Sequence, residues 1–188
     1  MRLSSLLLRA GACLVLAAPS AAAQTRVSTE LFIVRNSPLA PESSLYGLGL
    51  TFSGGAVGVR GSAAASFRST STDDGESIDV DAWTGEVDLI LQPLRLGGVG
   101  APLPLAPYVF GGVGRISQTD FDGFRQAWGA ASYGAGLGLA LTEALGVTGE
   151  ARYRVPLSEA LDDNDPRFDS SFPRGWEYRF GLSITFGG

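Results

Sequence analysis

Residues 176–186 alternate strictly between two kinds of side chain, and this pattern constrains the fold more than any other feature of the chain. Side chains of a β-strand point alternately to the two faces of a sheet, so a period of two indicates a strand with one apolar face. Few soluble strands alternate for so long. The apolar parity consists of Tyr178, Phe180, Leu182, Ile184 and Phe186, and the other parity consists of Arg179, Gly181, Ser183 and Thr185.

Two long uncharged segments raise the question of membrane-spanning helices, but their composition disfavours a helix. Residues 96–114 contain Pro102, Pro104 and Pro107, and proline breaks a helix interior because it has no amide hydrogen to donate. Residues 126–142 contain three glycines at alternate positions, and each glycine costs a helix about 1 kcal/mol relative to alanine. Both segments therefore predict strands.

The same alternation predicts eight strands separated by two kinds of connection. Long polar connections alternate with tight ones, as in transmembrane barrels with long outer loops and short periplasmic turns; the apolar, proline-rich connection 93–104 is the exception. We therefore predict an all-β fold, an eight-stranded antiparallel up-and-down transmembrane β-barrel. The strands are expected at 28–35, 45–52, 56–68, 78–92, 105–115, 128–141, 145–155 and 176–186, with long connections at 36–44, 69–77, 116–127 and 156–175 and tight ones at 53–55 and 142–144.

The sixth strand indicates which face of the barrel looks inward. One of its parities has only small uncharged residues, whereas a water-exposed surface carries roughly 25 to 35% charged residues. Small side chains suit the interior of an eight-stranded barrel, which side chains just fill. We expect the inward parity to be Ser132, Gly134, Gly136, Gly138 and Ala140, and the lipid-facing residues to include Leu137, Leu139 and Leu141 in this strand and Phe180, Leu182 and Ile184 in the eighth.

Charged residues of both signs share the inward parity on neighbouring strands. Arg60 can meet Glu86 or Asp88, and Glu150 can meet Arg179, because the third and fourth strands adjoin, as do the seventh and eighth. Unpaired charges in a narrow lumen are costly, so we predict ion pairs that plug the interior, with a gate or ion path as the alternative. The predicted lumen network is Arg60, Arg68, Glu86, Asp88, Glu150, Arg152, Arg154 and Arg179.

Aromatic residues concentrate near the ends of the predicted strands, where transmembrane barrels form girdles at the two interfaces. Aromatic side chains are also favoured in strands of other β-proteins. The expected girdle residues are Tyr46, Phe52, Phe67, Trp83, Tyr108, Trp128, Tyr153, Trp176, Tyr178 and Phe186.

The N-terminus has the features of an export signal. Two arginines precede a short apolar run, and three alanines end at Ala23 before Gln24. The run is shorter than the roughly 20 apolar residues of a membrane-spanning helix. We therefore expect a signal peptide at residues 1–23 and one barrel domain at residues 24–188, with the single cysteine, Cys13, removed at cleavage.

The residue inventory argues against catalysis, cofactors and nucleic acid. The chain has no histidine, and histidine is the commonest acid–base group and metal ligand. Its net charge of −5 is unsuited to nucleic acid, which requires a basic surface. The segment 162–165 in an acidic outer loop offers oxygen ligands for Ca²⁺ but lacks the EF-hand glycine and glutamate. We expect no enzyme activity, cofactor, metal site or nucleic-acid partner.

Five segments show a resemblance to a known family. They resemble the small outer-membrane β-barrel superfamily of OmpA-like, OmpX-like and OmpW-like proteins, and the resemblance extends over most of the barrel region. The resemblance implies a monomeric outer-membrane protein in contact with lipid. The segments are 46–50 (YGLGL), 107–114 (PYVFGGVG), 133–138 (YGAGLG), 150–154 (EARYR) and 178–182 (YRFGL).

Three functions remain open at this point, because fold does not determine function. The first is a structural or surface-interaction role, with a narrow, side-chain-filled lumen and acidic outer loops that contact a ligand or an envelope partner. The second is a narrow channel for small solutes or hydrophobic molecules. The third is a soluble periplasmic β-barrel that binds an apolar ligand.

Overall fold

A computed structural model describes residues 25–40, 43–72, 75–96, 105–119, 125–157 and 174–186. Within these ranges, the side chains of residues 68–72, 75–80, 95–96 and 125–126 are not described. The predicted signal peptide at residues 1–23 and the candidate calcium segment 162–165 both lie outside the described residues.

The described chain forms eight antiparallel strands that close into a barrel in sequence order, so the predicted fold is confirmed. A single helical turn, α1 (Pro93–Leu96), lies in the connection between the fourth and fifth strands. No helix among the described residues has the length and apolarity needed to cross a bilayer. The strands are β1 (Thr25–Arg35), β2 (Leu45–Gly54), β3 (Val57–Thr72), β4 (Gly75–Leu91), β5 (Leu105–Thr119), β6 (Arg125–Ala140), β7 (Leu145–Pro156) and β8 (Trp176–Phe186).

The first and last strands form the seam that closes the barrel. β1 pairs with β8 from Val27 opposite Phe186 to Arg35 opposite Tyr178. Closure removes the free edges that a sheet cannot expose to hydrocarbon, since lipid offers no hydrogen bonds to unpaired backbone groups. The first strand, whose alternation in the sequence is the least regular, is thereby paired on both sides.

The barrel wall has two heights at the end with the long loops. Ala65 is the last residue of β3 that pairs with β2, and β3 continues beyond it to Thr72. β4 follows β3 throughout, with a bulge opposite Ser66 and Phe67. The strands β3 to β6 have 15 to 17 residues, whereas β7, β8, β1 and β2 have 10 to 12. The hairpins β3–β4 and β5–β6 are therefore longer than the sequence pattern indicates.

Apolar side chains lie mainly on the outside of this barrel and charged ones inside. Leu182 on β8 is 44% exposed, while Arg179 on the same strand is 2% exposed. The six residues expected to face lipid all point outward and are exposed: Leu137, Leu139, Leu141, Phe180, Leu182 and Ile184. A soluble barrel that binds an apolar ligand requires the reverse distribution.

The connection between β1 and β2 folds into the mouth of the barrel, although the sequence predicts a polar outer loop there. Asn36 adopts a left-handed backbone conformation with φ of 55°, which turns the chain inward and which asparagine tolerates better than most residues. Ser37, Leu39 and Ala40 are almost completely buried. Leu39 packs with Ala82, Ile116, Trp128 and Ala130, and Ala40 packs with Phe32, Val34, Leu45 and Ala64.

Two aromatic residues expected in the interfacial girdle point into the lumen instead. Tyr108 and Trp128 are 7% and 3% exposed, so their assignment to the girdle is wrong. Both occupy even-numbered positions, which face the lumen in β5 and β6. The strand ends therefore supply aromatic side chains to the interior as well as to the outer surface.

Candidate functional site

Nine buried charged side chains fill the middle of the lumen described by the structure. They come from β1, β3, β4, β7 and β8, and each is at most 7% exposed. They occupy the inward parity of these strands, whose alternate residues face the interior. The set consists of four arginines, Arg60, Arg152, Arg154 and Arg179, and five carboxylates, Glu30, Glu86, Asp88, Glu150 and Glu177.

Arg60 joins opposite walls of the barrel. Its Nη2 atom donates to Asp88 Oδ2 on the neighbouring strand β4 at 2.8 Å and to Glu150 Oε2 on β7 at 3.1 Å. Its Nη1 atom also donates to Glu150. Since β3 and β7 are four strands apart in either direction around the barrel, this arginine spans the lumen. The planar guanidinium presents several donors in fixed directions and suits such a double contact.

Arg152 and Arg154 make a second bridge across the lumen, from β7 to β4. Arg152 donates to Glu86 Oε2 at 2.7 Å and to both oxygens of Asp88, at 3.1 and 2.7 Å. It also donates to the hydroxyl of Ser132 at 2.9 Å. Arg154 donates to Glu86 Oε1 at 2.9 Å. The two β4 carboxylates therefore accept hydrogen bonds from the opposite wall.

The network continues from β7 to the inward-folded connection. Arg154 donates to Glu177 on β8, and the hydroxyl of Ser37 donates to the same carboxylate at 3.0 Å. Residues 36–40 are thus held in the barrel mouth by a buried polar contact as well as by the apolar packing of Leu39. The inward-folded connection and the charge network are therefore linked through Glu177.

An ion pair crosses the seam of the barrel. Arg179 on β8 donates to Glu30 on β1, and the hydroxyl of Thr148 donates to the other oxygen of that carboxylate. The Arg179 guanidinium carbon lies 3.4 Å from the centroid of the Phe32 ring, so a cation–π contact adds to the ion pair. The first and last strands are therefore joined by side chains as well as by backbone hydrogen bonds.

Two aromatic rings of β5 cover the glycines of β6. A Cβ atom at Gly136 would lie 2.6 Å from the Tyr108 hydroxyl oxygen, and one at Gly134 would lie 2.6 Å from the Phe110 ring. The space left by the glycines lets Tyr108 donate to Glu150 Oε1 at 2.7 Å. The Arg152 guanidinium carbon stands 4.6 Å from the Phe110 ring centroid. Gly134 and Gly136 thus leave room for the rings of Phe110 and Tyr108, which contact Arg152 and Glu150 of the network.

A cavity of about 180 Å³ lies between the network and the end of the barrel with the tight turns. Arg60, Glu30 and Tyr108 line its inner end, and Arg26 and Gln92 line it nearer the turns. The remaining lining is mostly hydroxyl-bearing, with Ser28, Thr51, Ser53, Thr148, Ser183 and Thr185. Hydroxyl and charged groups line most of the cavity together with Val57 and Ile90, and the ion pairs of Arg60 lie at its inner end.

The structure brings together seven of the eight residues named as the lumen network in the sequence analysis. The side chain of the eighth, Arg68, lies outside the described side chains, although its backbone pairs with Asp79. Arg60 meets Asp88 as expected between neighbouring strands, but Glu150 and Arg179 meet only through their backbone register. Glu150 binds Arg60, because the narrow lumen places opposite walls within reach of an arginine side chain. Arg179 binds Glu30 on its other neighbouring strand, β1.

Sequence reasoning missed two members of the network. Glu177 has the same parity as Arg179 two residues away, so the pattern that identified Arg179 could also have identified Glu177. Glu30 is harder to find because its lumen-facing neighbours in β1, Phe32 and Val34, are apolar and buried. The strand therefore lacks a clear polar face.

The described side chains contain no cluster of three or more residues suited to a metal ion. Each carboxylate of the lumen network faces at least one arginine. The arrangement is suited to holding strands together across a narrow interior.

Comparison with known proteins places the chain in a family. The model of the outer membrane protein beta-barrel domain matches residues 10–180, which is most of the chain. The chain belongs to this family. Membership implies a location in the outer membrane, with the apolar outside of the barrel embedded in lipid.

Solved structures of other outer-membrane barrels share the fold. The N-terminal β-barrel domain of OprF from Pseudomonas aeruginosa is 20% identical, with a TM-score of 0.61, and the match covers 87% of this chain and 99% of that one. The outer membrane protein OprG from the same organism is 14% identical, with a TM-score of 0.54 and coverages of 88% and 97%. No curated protein sequence matches the chain significantly. At these identities the likeness concerns the fold.

Proposed function

We propose that this outer-membrane barrel is a non-enzymatic protein whose lumen is closed and whose role is structural, with surface interactions through its acidic loops. The observation behind the proposal is the double bridge from β7 to β3 and β4, made by Arg60 with Glu150 and by Arg152 with Glu86 and Asp88. These side chains occupy the cross-section of the barrel. A solute would have to separate buried ion pairs to pass.

The inward-folded connection adds a second closure above the network. Leu39 is 1% exposed and Ser37 binds Glu177, so an apolar layer and a polar contact both block the mouth. The carboxylate pair considered for acid–base chemistry, Glu86 and Asp88, is held by Arg152. A general acid or base must be able to exchange its proton with a substrate, and these groups are committed to the arginine.

Planar-bilayer recording of the purified protein tests the closed lumen. We expect no stable conductance steps above the background of the bilayer. The double variant Arg60→Ala/Glu150→Ala is a useful comparison, because it removes one bridge and should allow transient openings. Stable steps from the unaltered protein would contradict the proposal and support the narrow channel instead.

Cysteine labelling in whole cells tests whether the acidic loops are displayed outside. We propose that the signal peptide is removed after Ala23, so the mature chain has no thiol and N-terminal sequencing should begin at Gln24. A membrane-impermeant maleimide should then label Asp163→Cys in intact cells. Glu143→Cys, at the tight turn between β6 and β7, should be labelled only after the outer membrane is permeabilised. The opposite result would reverse the assigned orientation.

A further inference from the structure

Four of the chain's five tyrosines lie on one arc of the outer surface. Tyr46, Tyr133 and Tyr178 are 59%, 51% and 45% exposed, and Tyr153 lies between them on the outward parity of β7. Trp176 is 49% exposed on the same arc. The arc runs over β6, β7, β8, β1 and β2, which includes the shorter part of the barrel wall.

The register places these rings side by side. Tyr133 is opposite Tyr153, and Tyr153 is opposite Trp176. Their ring centroids are 5.7 Å and 5.3 Å apart, with interplanar angles of 45° and 56°, and these distances fall within the range of interacting aromatic pairs. Three strands thus present one continuous aromatic surface, which lies near the long-loop ends of β7 and β8 and at the middle of β6.

An exposed arginine stands beside these rings. Arg35 has the outward parity at the end of β1, opposite Tyr178, and its other neighbouring strand, β2, presents Tyr46. Arg174 is also exposed, two residues before Trp176. Neither arginine has an ion pair among the described side chains. We define the aromatic–arginine patch as Arg35, Tyr133, Tyr153, Arg174, Trp176 and Tyr178.

The charge of the patch is opposite to that of the whole chain. The chain has a net charge of −5, yet the outward positions of β6, β7, β8, β1 and β2 contain no aspartate or glutamate. An outward carboxylate there would repel anionic headgroups. The positions next along β6 and β8 toward the tight turns are apolar, including Leu137 and Leu182. On β7, β8 and β1 the patch therefore lies at the boundary between the apolar band and the loops.

We propose that the aromatic–arginine patch binds the phosphorylated sugar headgroup of an outer-leaflet glycolipid. Arg35 supplies the planar, bidentate donor set that matches a phosphate. The tyrosine and tryptophan rings offer flat faces and polar edges to a sugar ring at the interface. A glycolipid phosphate has no cation of its own, whereas an ethanolamine phospholipid carries an ammonium that already neutralises its phosphate. The site therefore favours the glycolipid.

This inference rests on the proposed orientation, because the patch must face the outer leaflet. Native mass spectrometry of the folded, detergent-solubilised protein tests the binding chemistry independently of orientation. The probes are bisphosphorylated lipid A, phosphatidylglycerol and phosphatidylethanolamine, each titrated separately. We expect lipid A to bind at least ten times more tightly than either phospholipid.

Arg35→Gln is the decisive variant, because Arg35 is exposed and its loss should leave the barrel folded. A charge-assisted hydrogen bond is worth roughly a ten-fold change in affinity, so we expect about ten-fold weaker lipid A binding. Tyr153→Leu keeps an apolar residue but removes the ring, and it should weaken binding as well. Arg115→Gln is the matched control, since Arg115 is an exposed arginine on β5 outside the patch.

Two results would overturn the proposal. One is equal affinity for lipid A and the phospholipids. The other is an equal loss of lipid A binding in Arg35→Gln and Arg115→Gln, which would indicate a general charge effect. If binding follows the expectation but the labelling of Asp163→Cys and Glu143→Cys is reversed, the proposed orientation fails while the binding chemistry stands.

Discussion

Arg152 has the most partners of any side chain in the described lumen. It donates to Glu86, Asp88 and Ser132 and is 1% exposed. Two carboxylates would lose their main cross-lumen donor if it were replaced by an apolar residue. Buried ion pairs are not intrinsically strong stabilisers, but removal of one partner leaves an uncompensated charge.

We predict that Arg152→Met lowers the free energy of unfolding by about 3 to 5 kcal/mol, because the five buried carboxylates of the lumen would be left with three arginines, and the uncompensated negative charge would stay buried. Denaturant titration in detergent, followed by the gel mobility of folded and unfolded barrel, measures the change. Arg115→Gln serves as the exposed control and should change stability by less than about 0.5 kcal/mol. Equal stability of Arg152→Met and the unaltered protein would show that the network is not stabilising.

The sequence predicted the members of this network better than their partners. Arg60, Asp88 and Glu150 have the parity opposite to the apolar residues of their strands. Because alternate side chains of a strand point to opposite faces, this parity alone places them inside. Which carboxylate meets which arginine depends on the diameter and stagger of the closed barrel, and alternation along one strand holds no information about either. The contact of Arg60 with Glu150 is therefore visible only in three dimensions.

At the scale of the strand, the alternating glycines of β6 have a specific structural cause. Its alternating glycines indicated a narrow interior, and the structure adds that Gly136 and Gly134 lie under the rings of Tyr108 and Phe110. Glycine usually weakens a strand, because it loses more backbone entropy and packs no side chain. Here the glycines of β6 are needed because they leave room for the aromatic rings of the neighbouring strand β5.

We predict that Gly136→Ala destabilises the barrel by about 1 to 3 kcal/mol, because its Cβ atom overlaps the Tyr108 ring and overpacks the lumen. Gly138→Ala is the matched control on the same strand and parity, since its Cβ atom would meet only the Ala106 carbonyl oxygen, at 3.7 Å. The same denaturant titration measures both. The double variant Gly136→Ala/Tyr108→Leu should lose less than the two single changes together; strict additivity would refute the steric explanation.

The connection 36–44 shows where strand patterns stop being informative. Its polar composition predicted an outer loop, yet Leu39 and Ala40 pack inside the mouth. Only two apolar residues are needed to draw a short connection inward, and no periodicity marks them. The conformation depends on the cavity that the other strands leave.

For the whole molecule, the distribution of apolar residues predicts a response that depends on depth. An arginine near the bilayer midplane costs about 2 to 4 kcal/mol in a transmembrane barrel and about 0 to 1 kcal/mol near the interface. Leu182 lies near the middle of β8, whereas Leu139 is one residue from the end of β6. We therefore predict that Leu182→Arg destabilises the protein more than Leu139→Arg.

Reversible folding into phospholipid vesicles, titrated with denaturant, measures this difference. The two substitutions are chemically identical, so each is the control for the other. Equal losses would contradict the placement of β8 across the bilayer. A larger loss for Leu139→Arg would mean that the bilayer midplane lies closer to the tight turns than we infer.

The architecture of the whole chain was largely contained in its alternation. Eight strands, their order and the outward direction of residues such as Leu182 follow from a period of two and from the lengths of the connections. The two heights of the wall did not follow, because the segments at 69–77 and 116–127 are polar and look like loops. The end of β3 near Thr72 is a polar strand segment beyond the apolar band. Such a segment has no alternation of apolar and polar residues, so the sequence pattern does not identify it as a strand.

Because β1 pairs with β8 at the seam, the barrel can close only after the last strand is present. Glu30 and Arg179, which meet across the seam, lie near the beginning and the end of the barrel sequence. A copy cut short before its last strand would keep seven strands but could not join the two ends, and Glu30 would have no cation beside it. Neither open strand edges nor a solitary interior carboxylate persist in a hydrocarbon setting. A copy that lacks β8 is therefore not expected to form a stable barrel in the bilayer.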